Sequence, residues 1–279
     1  MAKAMRLSSF GGLMVLPAVL WVLAFMVLPI LTLVPGSLTG AEGQWSFEHY
    51  AKFLSDAFYL VILGKTMLWA AVITLICIAV SFPIAVYLTR VSAKKRNWII
   101  LTLMAPMVIS LVIRNYGWFI LLADRGWFVQ HLRMIGIDLR ILFSPSAVLL
   151  AMVHASLAYM VIAIMGALEK IPANVMRAAE GMGASRLRSF VSITLPLSLP
   201  GLVAGSAIVF SLSAASFVTP EIMGGSRVKF MGSLIFQQFT STLDYAAGAA
   251  MGLILSLATL ISLGLFILVL QLVKLGKKL

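Results

Sequence analysis

The stretch Lys170–Pro196 reads KIPANVMRAAEGMGASRLRSFVSITLP, and it carries five charged residues in a chain where only 11% of residues are charged. It joins two long charge-free stretches, Ile141–Leu168 and Ser189–Pro220. Each is longer than the roughly 20 apolar residues that an α-helix needs to cross about 30 Å of hydrocarbon. The pattern therefore predicts two membrane-spanning helices joined by a polar loop that lies outside the bilayer.

This loop has a helical pattern of its own. Pro172 suits the first turn of a helix, where its missing N–H leaves no hydrogen bond unmade. Apolar residues then recur at helical spacing at Val175, Met176, Ala179 and Met182. Gly181 and Gly183 are predicted to end the helix, because glycine readily adopts positive φ, and a second short helix over 184–192 follows. Two interpretations stay open: an interfacial helix on lipid headgroups, or a knob that docks on a cytoplasmic partner.

The rest of the chain has the composition of an integral membrane protein. Of its 279 residues, 62% are hydrophobic, whereas soluble domains are about 45–50% apolar. Charge-free windows predict an all-α fold with six transmembrane helices: Leu7–Ala41, Thr66–Thr89, Asn97–Ile113, Ile141–Leu168, Ser189–Pro220 and Tyr245–Val273. The first, with its span placed at 11–34, is too long for the apolar part of a signal peptide and is predicted to be retained. The third is short and is expected to continue past Arg114 through Asn115–Ala123.

Two pairs of glycines indicate where helices can pack closely. Gly201 and Gly205 lie one turn apart in the fifth span, and Gly248 and Gly252 lie one turn apart in the sixth. Small residues at this spacing share a helix face and let a neighbouring backbone approach. We therefore expect close helix contacts at these two faces.

The distribution of lysine and arginine predicts the orientation. With six spans, thirteen of the 21 basic residues fall on the face that carries both termini and the 170–196 loop, and seven fall on the other face. Because cytoplasmic loops carry the excess of Lys and Arg, we expect both termini in the cytoplasm. The basic clusters alternate with apolar spans and form no basic face with interleaved aromatic residues. This argues against a nucleic-acid partner despite the net charge of +12.

Motifs for catalysis are missing from the sequence. It contains neither H-E-x-x-H nor G-x-S-x-G, and Gly64-Lys65-Thr66 lacks the glycine that a phosphate-binding loop requires five positions earlier, where Tyr59 stands. Cys77 is the only cysteine, which excludes an intramolecular disulfide and a thiolate metal cluster. His154, within the fourth span, is expected to bond a neighbouring helix. We predict that the chain is not an enzyme and has no cofactor or metal of its own.

Several polar residues in or near the spans are candidates for a solute pathway: Arg114, Asn115, Tyr116, Trp118, Ser213, Ser216, Glu221 and Asp244. Arg114 is the one clear charge within a predicted span, where a charge costs roughly 3 kcal/mol or more. It is expected either to pair with Asp124 or reach the outer headgroups, or to line a pathway or gate. The serines either bond helix carbonyls or line a polar cavity. Glu221 and Asp244 either attract a cationic cargo or are ordinary solvated charges.

The loop resembles the cytoplasmic signature of binding-protein-dependent ABC importer permeases, E-A-A-x3-G-x9-I-x-L-P. Six residues stand at the matching positions: Ala178, Ala179, Gly183, Ile193, Leu195 and Pro196. Arg177 replaces the usual first glutamate, and Glu180 is a candidate substitute for its carboxylate. The resemblance extends to Ser110–Leu121, SLVIRNYGWFIL, which is similar to the L-V-R-x-Y-x-W stretch of spermidine/putrescine-type permeases.

The resemblance implies a type I ABC importer permease (MetI-like) fold in a single transmembrane domain over 1–279, with its core over about 60–274 and a coupling loop over 170–196. It also implies which residues contact a separate ATPase dimer: Arg177, Ala178, Ala179, Glu180, Gly181, Gly183, Ile193, Leu195 and Pro196. That dimer would use the ATP. The other implied partners are a second, different permease subunit, a periplasmic solute-binding protein and the lipid of a bacterial inner membrane.

The cargo implied by the resemblance is a polyamine such as spermidine or putrescine. The residues themselves leave other cargoes open, since the chain has only nine acidic residues and none lies deep in a predicted span. Another amine, an opine, an amino-acid-like solute and an anion attracted by Arg114 are the alternatives. A self-sufficient secondary transporter or channel is the alternative class, and it would move solute down a gradient without ATP.

Overall fold

The computed structural model describes residues 9–40, 43–138, 140–172, 174–175, 179 and 181–276. Its α-helices are α1 (Ser9–Ser37), α2 (Glu48–Ser55), α3 (Ala57–Leu88), α4 (Ala93–Val108), α5 (Leu111–Leu122), α6 (Trp127–Met134), α7 (Pro145–Leu168), α8 (Arg186–Ser189), α9 (Leu195–Ala214), α10 (Met231–Gln237) and α11 (Tyr245–Gly276). Three π-helical segments, Phe190–Thr194, Pro220–Gly224 and Gln238–Thr242, and the 3-10 turn Gly225–Arg227 complete them. Apart from one bridge between Thr39 and Trp45, the regular structure of the described residues is helical, which confirms the all-α prediction.

Within the described residues, five helical segments are long and apolar enough to cross a membrane: Val15–Ser37, Ala57–Leu88, Pro145–Leu168, Phe190–Ala214 and Tyr245–Leu268. They coincide with the first, second, fourth, fifth and sixth predicted spans. Charge-free apolar runs place these five correctly because a helix in lipid satisfies its own backbone hydrogen bonds and needs only an apolar surface.

The third predicted span is interrupted. α4 and the segment Leu111–Met134 meet at 99°, and the break falls at Ile109 and Ser110, whose ψ angles are both 135°. Pro106 in the last turn of α4 donates no backbone hydrogen bond, which weakens the helix just before the break. The expectation of one helix that continues past Arg114 is therefore wrong. The 16 residues of α4 are about 24 Å long, so α4 is long enough to cross the membrane only together with the helices that follow the bend.

Helix α7 packs against both α3 and α9, and these three helices supply most of the buried core. Gly201 and Gly205 on α9 permit the close contact with α7. A Cβ atom at Gly201 would lie 2.5 Å from the carbonyl oxygen of Ala163, and one at Gly205 would lie 2.7 Å from Met160 Sδ. The predicted close approach is confirmed for this pair. In the second pair, a Cβ atom at Gly248 would lie 2.8 Å from Phe239 Cε2 in the π-helical segment Gln238–Thr242, whereas a Cβ atom at Gly252 would have no neighbour within 4 Å in the described chain.

The first helix stands apart from this core. The main helix contact of α1 is with α11. Every described side chain from residue 15 to residue 36 is exposed in the single chain. Its apolar side chains face all directions, which is the pattern of a helix that is surrounded by lipid or by another subunit.

The two ends of α7 define two faces of the protein. The loop face carries residues 89–92 and the described residues of 169–185, because the salt bridge between Arg96 and Glu169 joins the start of α4 to the start of the loop at 2.8 Å. The distal face carries residues 123–144 and 219–230, because the N–H of Phe143 donates to the carbonyl oxygen of Met223 at 3.0 Å. The 24 residues of α7 separate the two faces by about 36 Å.

Candidate translocation cavity and coupling loop

A cavity of about 400 Å³ opens where the α4–α5 break meets α7 and the C-terminal end of α9. Its walls are mostly apolar, and Met107, Met152 and Leu212 are among them. The polar side chains that line it are Arg114, Ser156, Tyr159, Ser213, Ser216 and Thr219. No carboxylate is among the lining residues in the described part of the chain. A mostly apolar cavity with a few convergent polar groups is the usual form of a small-solute site.

Arg114 lines this cavity and also closes the end of α4. Its Nη1 atom donates to the carbonyl oxygen of Pro106 at 2.6 Å. Pro106 is among the last four residues of α4, whose carbonyls have no partner inside the helix. Asp124 instead lies 3.6 Å from Arg133. The expected pairing of Arg114 with Asp124 is therefore wrong, and its guanidinium is shared between the helix break and the cavity.

Two of the residues that follow Arg114 on α5 form hydrogen bonds to other parts of the fold. Asn115 is 1% exposed, and its Nδ2 atom donates to Thr219 Oγ1 at 3.1 Å. Trp118 Nε1 donates to His154 Nδ1 at 3.3 Å, which confirms the expected bond between this histidine and a neighbouring helix. Tyr116 is exposed and does not line the cavity. Of the four candidates in this stretch, only the arginine lines the cavity.

The two serines of the candidate set, Ser213 and Ser216, both line the cavity. Ser213 is fully buried, and its Oγ atom has no hydrogen-bond partner among the described residues. An unpartnered buried hydroxyl carries a desolvation cost of about 1–3 kcal/mol, which a polar solute in the cavity would relieve. Of the two roles considered for these serines, the geometry of Ser213 supports lining the cavity.

The two candidate carboxylates lie outside this cavity. Asp244 Oδ1 accepts a hydrogen bond from the N–H of Ala247 at 2.9 Å and so caps the first turn of α11. Glu221 is exposed in the π-helical segment Pro220–Gly224 and lines a separate surface cavity together with Lys229. Asp244 therefore has a structural partner in the chain, and Glu221 lies near the surface of the distal face.

The coupling loop is described in part, since Arg177, Ala178 and Glu180 lie outside the described residues. Ala179 is 3% exposed, and its carbonyl oxygen accepts a hydrogen bond from the N–H of Ala184 at 3.0 Å. Gly183, within this turn, has φ of +78°. A hydrogen bond of this span across a left-handed glycine is a Schellman motif, which ends a helix. Gly183 therefore ends the helical turn as the sequence predicts, whereas Gly181 lies within the helical turn and the prediction that it ends the helix is wrong.

The tip of the loop is exposed, whereas its return arm is fixed to the core. Met182 is 82% exposed, and a Cβ atom added at Gly181 or Gly183 would have no neighbour within 4 Å. On the return arm, the ring of Phe190 packs edge-on against Phe82 at 5.3 Å between centroids. The remaining coupling candidates follow in the chain: Ile193 in the π-helical segment, and Leu195 and Pro196 in the first turn of α9. The loop thus presents an exposed tip, Gly181–Gly183, whose return arm packs against the core.

Sequence comparison places this architecture in a known family. The profile of the family described as binding-protein-dependent transport system inner membrane component matches residues 78–274. The spermidine/putrescine transport system permease protein PotB of Escherichia coli (strain K12) is 30% identical over an alignment of 265 residues that covers 92% of this chain and 94% of that protein. PotB of Salmonella typhimurium (strain LT2) is 30% identical over an alignment of 259 residues that covers 90% of each chain.

The fold is also similar to that of a solved transporter. A chain in the crystal structure of a bacterial alginate ABC transporter in complex with an alginate pentasaccharide-bound periplasmic protein matches with a TM-score of 0.75. The match covers 90% of both chains at 18% sequence identity, and it supports the type I permease fold. The chain therefore belongs to the family of inner-membrane components of binding-protein-dependent transport systems, and it is a multi-pass permease of the ABC importer type.

Proposed function

We propose that the chain forms the translocation pathway for a polyamine in an ABC importer. A periplasmic solute-binding protein would deliver the cargo, and a separate pair of ATPase subunits would supply the energy. The observation that carries the proposal is the 30% identity to a spermidine/putrescine transport system permease across 92% of this chain and 94% of the relative. Because that match covers both the cavity and the coupling loop, the same class of cargo is the first expectation.

The tip around Gly183 is the proposed contact with the ATPase. The tip is exposed, and no described side chain lies within 4 Å of a Cβ atom added at Gly181 or Gly183. A groove on a partner could therefore receive the tip without displacing any described side chain. The base is held by the Phe190–Phe82 contact and by the Arg96–Glu169 salt bridge. Movement of the tip would in this way be transmitted to α4 and α9, which line the cavity, and to α3, which packs against α9.

The distribution of charge supports a cytoplasmic position for the loop face and for both termini. In the predicted six-span topology, the side with the loop face and both termini has thirteen basic residues but only two of the nine acidic residues, Glu169 and Glu180. The opposite side of that topology has the other seven acidic residues together with seven basic residues, so its net charge is zero. Only the basic excess of the loop face fits the cytoplasmic side of a membrane. A distal face without net positive charge also presents no general barrier to an approaching polycation.

The cavity would conduct a polyamine rather than select it. Its described lining offers hydroxyl and aromatic groups but no carboxylate, and it contains the positive charge of Arg114. Strong selection of a cation would require an opposite charge, so selectivity is assigned to the solute-binding protein. The same arginine favours a second candidate cargo, an amino-acid-like or opine-like solute that carries a carboxylate together with an amine.

A second, different permease subunit is proposed to complete the pathway. The cavity is lined by α4, α5, α7 and the end of α9, and it is partly open at the surface. α1 likewise has no buried side chain between residues 15 and 36. Both surfaces would be covered if a second permease subunit packed against this one.

The test is uptake into proteoliposomes that contain the complete importer. The complex would be reconstituted with ATP inside and with the liganded solute-binding protein outside, and uptake of labelled spermidine would be followed. We expect uptake that requires ATP, the ATPase and the solute-binding protein, and that unlabelled putrescine inhibits more strongly than glutamate or an opine. Uptake by this chain alone without ATP would contradict the importer assignment. Stronger inhibition by the carboxylate-bearing solutes would replace the polyamine with the second candidate cargo.

A further inference from the structure

A basic cavity on the distal face is separate from the translocation cavity. It has a volume of about 480 Å³ and lies between the segment before α7 and the segment after α9. The lining side chains that matter here are Arg140, Arg227, Phe143, Ser144 and Ser226. None of these five residues lines the translocation cavity. A role in the translocation cavity therefore does not account for this second cavity.

The base of this cavity is rigid. The N–H of Phe143 donates to the carbonyl oxygen of Met223 at 3.0 Å, which ties the two segments together. Phe143 has φ of 58°, a conformation that is uncommon for any residue except glycine and that surrounding contacts must maintain. Gly225 faces this ring with φ of 55°, and a Cβ atom there would lie 3.0 Å from Phe143 Cδ1. The two arginines therefore extend from a platform of fixed geometry.

The charges of the two cavity arginines are not neutralised by the described part of the chain. Arg140 and Arg227 are exposed, and neither forms an ion pair with a described carboxylate. Asp124 is the one carboxylate among the described lining residues, and Arg133 already engages it. Arg133 donates to the backbone oxygen of Asp124 at 3.1 Å and to Asp138 Oδ1 at 2.9 Å. The cavity thus presents two guanidinium groups, whose planar forks suit carboxylates.

We propose that this cavity receives an acidic side chain of the solute-binding protein when that protein docks on the permease. The inference rests on the proposed function, which places the distal face on the extracytoplasmic side. Two unpaired arginines would repel a polyamine, so the cargo is not the occupant. A carboxylate from the docking protein matches their charge and geometry. Exposed charge pairs of this kind accelerate association and fix the orientation of a partner.

The experiment measures ATPase stimulation in nanodiscs that contain the whole importer. Liganded solute-binding protein is titrated against the wild type, Arg140→Ala, Arg227→Ala, the double variant and Arg125→Ala. Arg125 is an exposed arginine of the same face that does not line the cavity, so it is the matched control. Each cavity variant is expected to raise the protein concentration for half-maximal stimulation about fivefold. The double variant should raise it further and weaken its dependence on salt, while the maximal rate stays unchanged.

Three results would overturn the inference. The first is a concentration for half-maximal stimulation that is unchanged in the double variant. The second is an equal shift in Arg125→Ala, which would indicate only the general charge of the face. The third is a changed apparent affinity for spermidine in uptake without a changed response to the solute-binding protein, which would make the cavity a cargo site. If the wild-type complex shows no stimulation at all, the proposed function fails first, so the two failures are distinguishable.

Discussion

The Nη1 atom of Arg114 lies 2.6 Å from the carbonyl oxygen of Pro106, so the charged residue of the broken span caps the helix that precedes it. A cation at a helix C-terminus is stabilised by the unpaired carbonyls and by the helix dipole. Arg114 therefore needs no carboxylate partner to be tolerated within the apolar sequence. The break at Ile109 and Ser110, the cap and the cavity form one structural unit.

Replacing Arg114 with methionine should distinguish the contribution of its charged hydrogen bond to Pro106 from that of its long side chain. The variant keeps a long side chain but loses the charged donor to Pro106, so we expect a loss of about 1.5–3 kcal/mol in the free energy of unfolding. Transport should fall because the α4–α5 break also forms the cavity wall. Arg114→Lys should be intermediate, since an ammonium keeps the charge but not the planar fork. Denaturant unfolding in detergent micelles and ATP-driven uptake are the measurements.

Arg125→Met is the control for that prediction. Arg125 is exposed, and its side chain has no hydrogen bond or ion pair among those found in the described residues, so its loss should change the free energy of unfolding by less than about 0.5 kcal/mol. Equal stability of Arg114→Met and the wild type would show that the bond to Pro106 does not contribute to the fold.

The sequence predicts the five unbroken spans because their signal is local: an apolar run without charge. It does not predict the break in the third span, because Pro106 by itself is compatible with a kinked helix and the 99° turn depends on extended backbone at two ordinary residues, Ile109 and Ser110. The sequence likewise identifies Asn115 and Trp118 as polar residues in a span, but it does not show whether their side chains face the cavity or a neighbouring helix. Each is committed to a neighbouring helical segment, through Thr219 and His154 respectively.

The two glycine pairs show how one spacing can have two outcomes. Gly201→Ala places a methyl group 2.5 Å from the carbonyl oxygen of Ala163, a backbone atom that cannot move without shifting α7. We expect a loss of about 1–3 kcal/mol in the free energy of unfolding from this overpacking. Gly252→Ala is the matched control, because its new methyl group meets nothing within 4 Å. Helix propensity favours alanine, so the control should be as stable as the wild type or more stable.

Thermal unfolding of the purified variants checks this pair. Equal midpoints for Gly201→Ala and Gly252→Ala would contradict the close contact between α9 and α7. A lower midpoint for Gly252→Ala alone would instead indicate that α11 packs closely on another subunit at that face.

Asn115 and Thr219 should contribute to stability jointly, through the hydrogen bond between their side chains. Asn115→Ala leaves Thr219 Oγ1 buried without its partner, and we expect a loss of about 1–3 kcal/mol in the free energy of unfolding. Thr219→Val should cost a similar amount, and the double variant should cost less than the sum of the two. A coupling energy of about 1 kcal/mol from this double-mutant cycle would establish the bond. Additive losses would show that the two residues act independently.

The glycine at the loop tip provides the sharpest test of coupling to the ATPase. Gly183→Arg and Gly136→Arg introduce the same side chain at glycines with φ of +78° and +83°, and neither site has a neighbour within 4 Å of an added Cβ atom. The backbone strain of the two variants is therefore matched, but Gly183 lies at the tip of the coupling loop and Gly136 lies on the distal face. We expect Gly183→Arg to abolish copurification with the ATPase and ATP-driven uptake, while Gly136→Arg retains the ATPase. Retention of the ATPase by Gly183→Arg would show that the tip is not where the ATPase binds. Loss of the ATPase in both variants would show that the effect of Gly183→Arg is not specific to the tip.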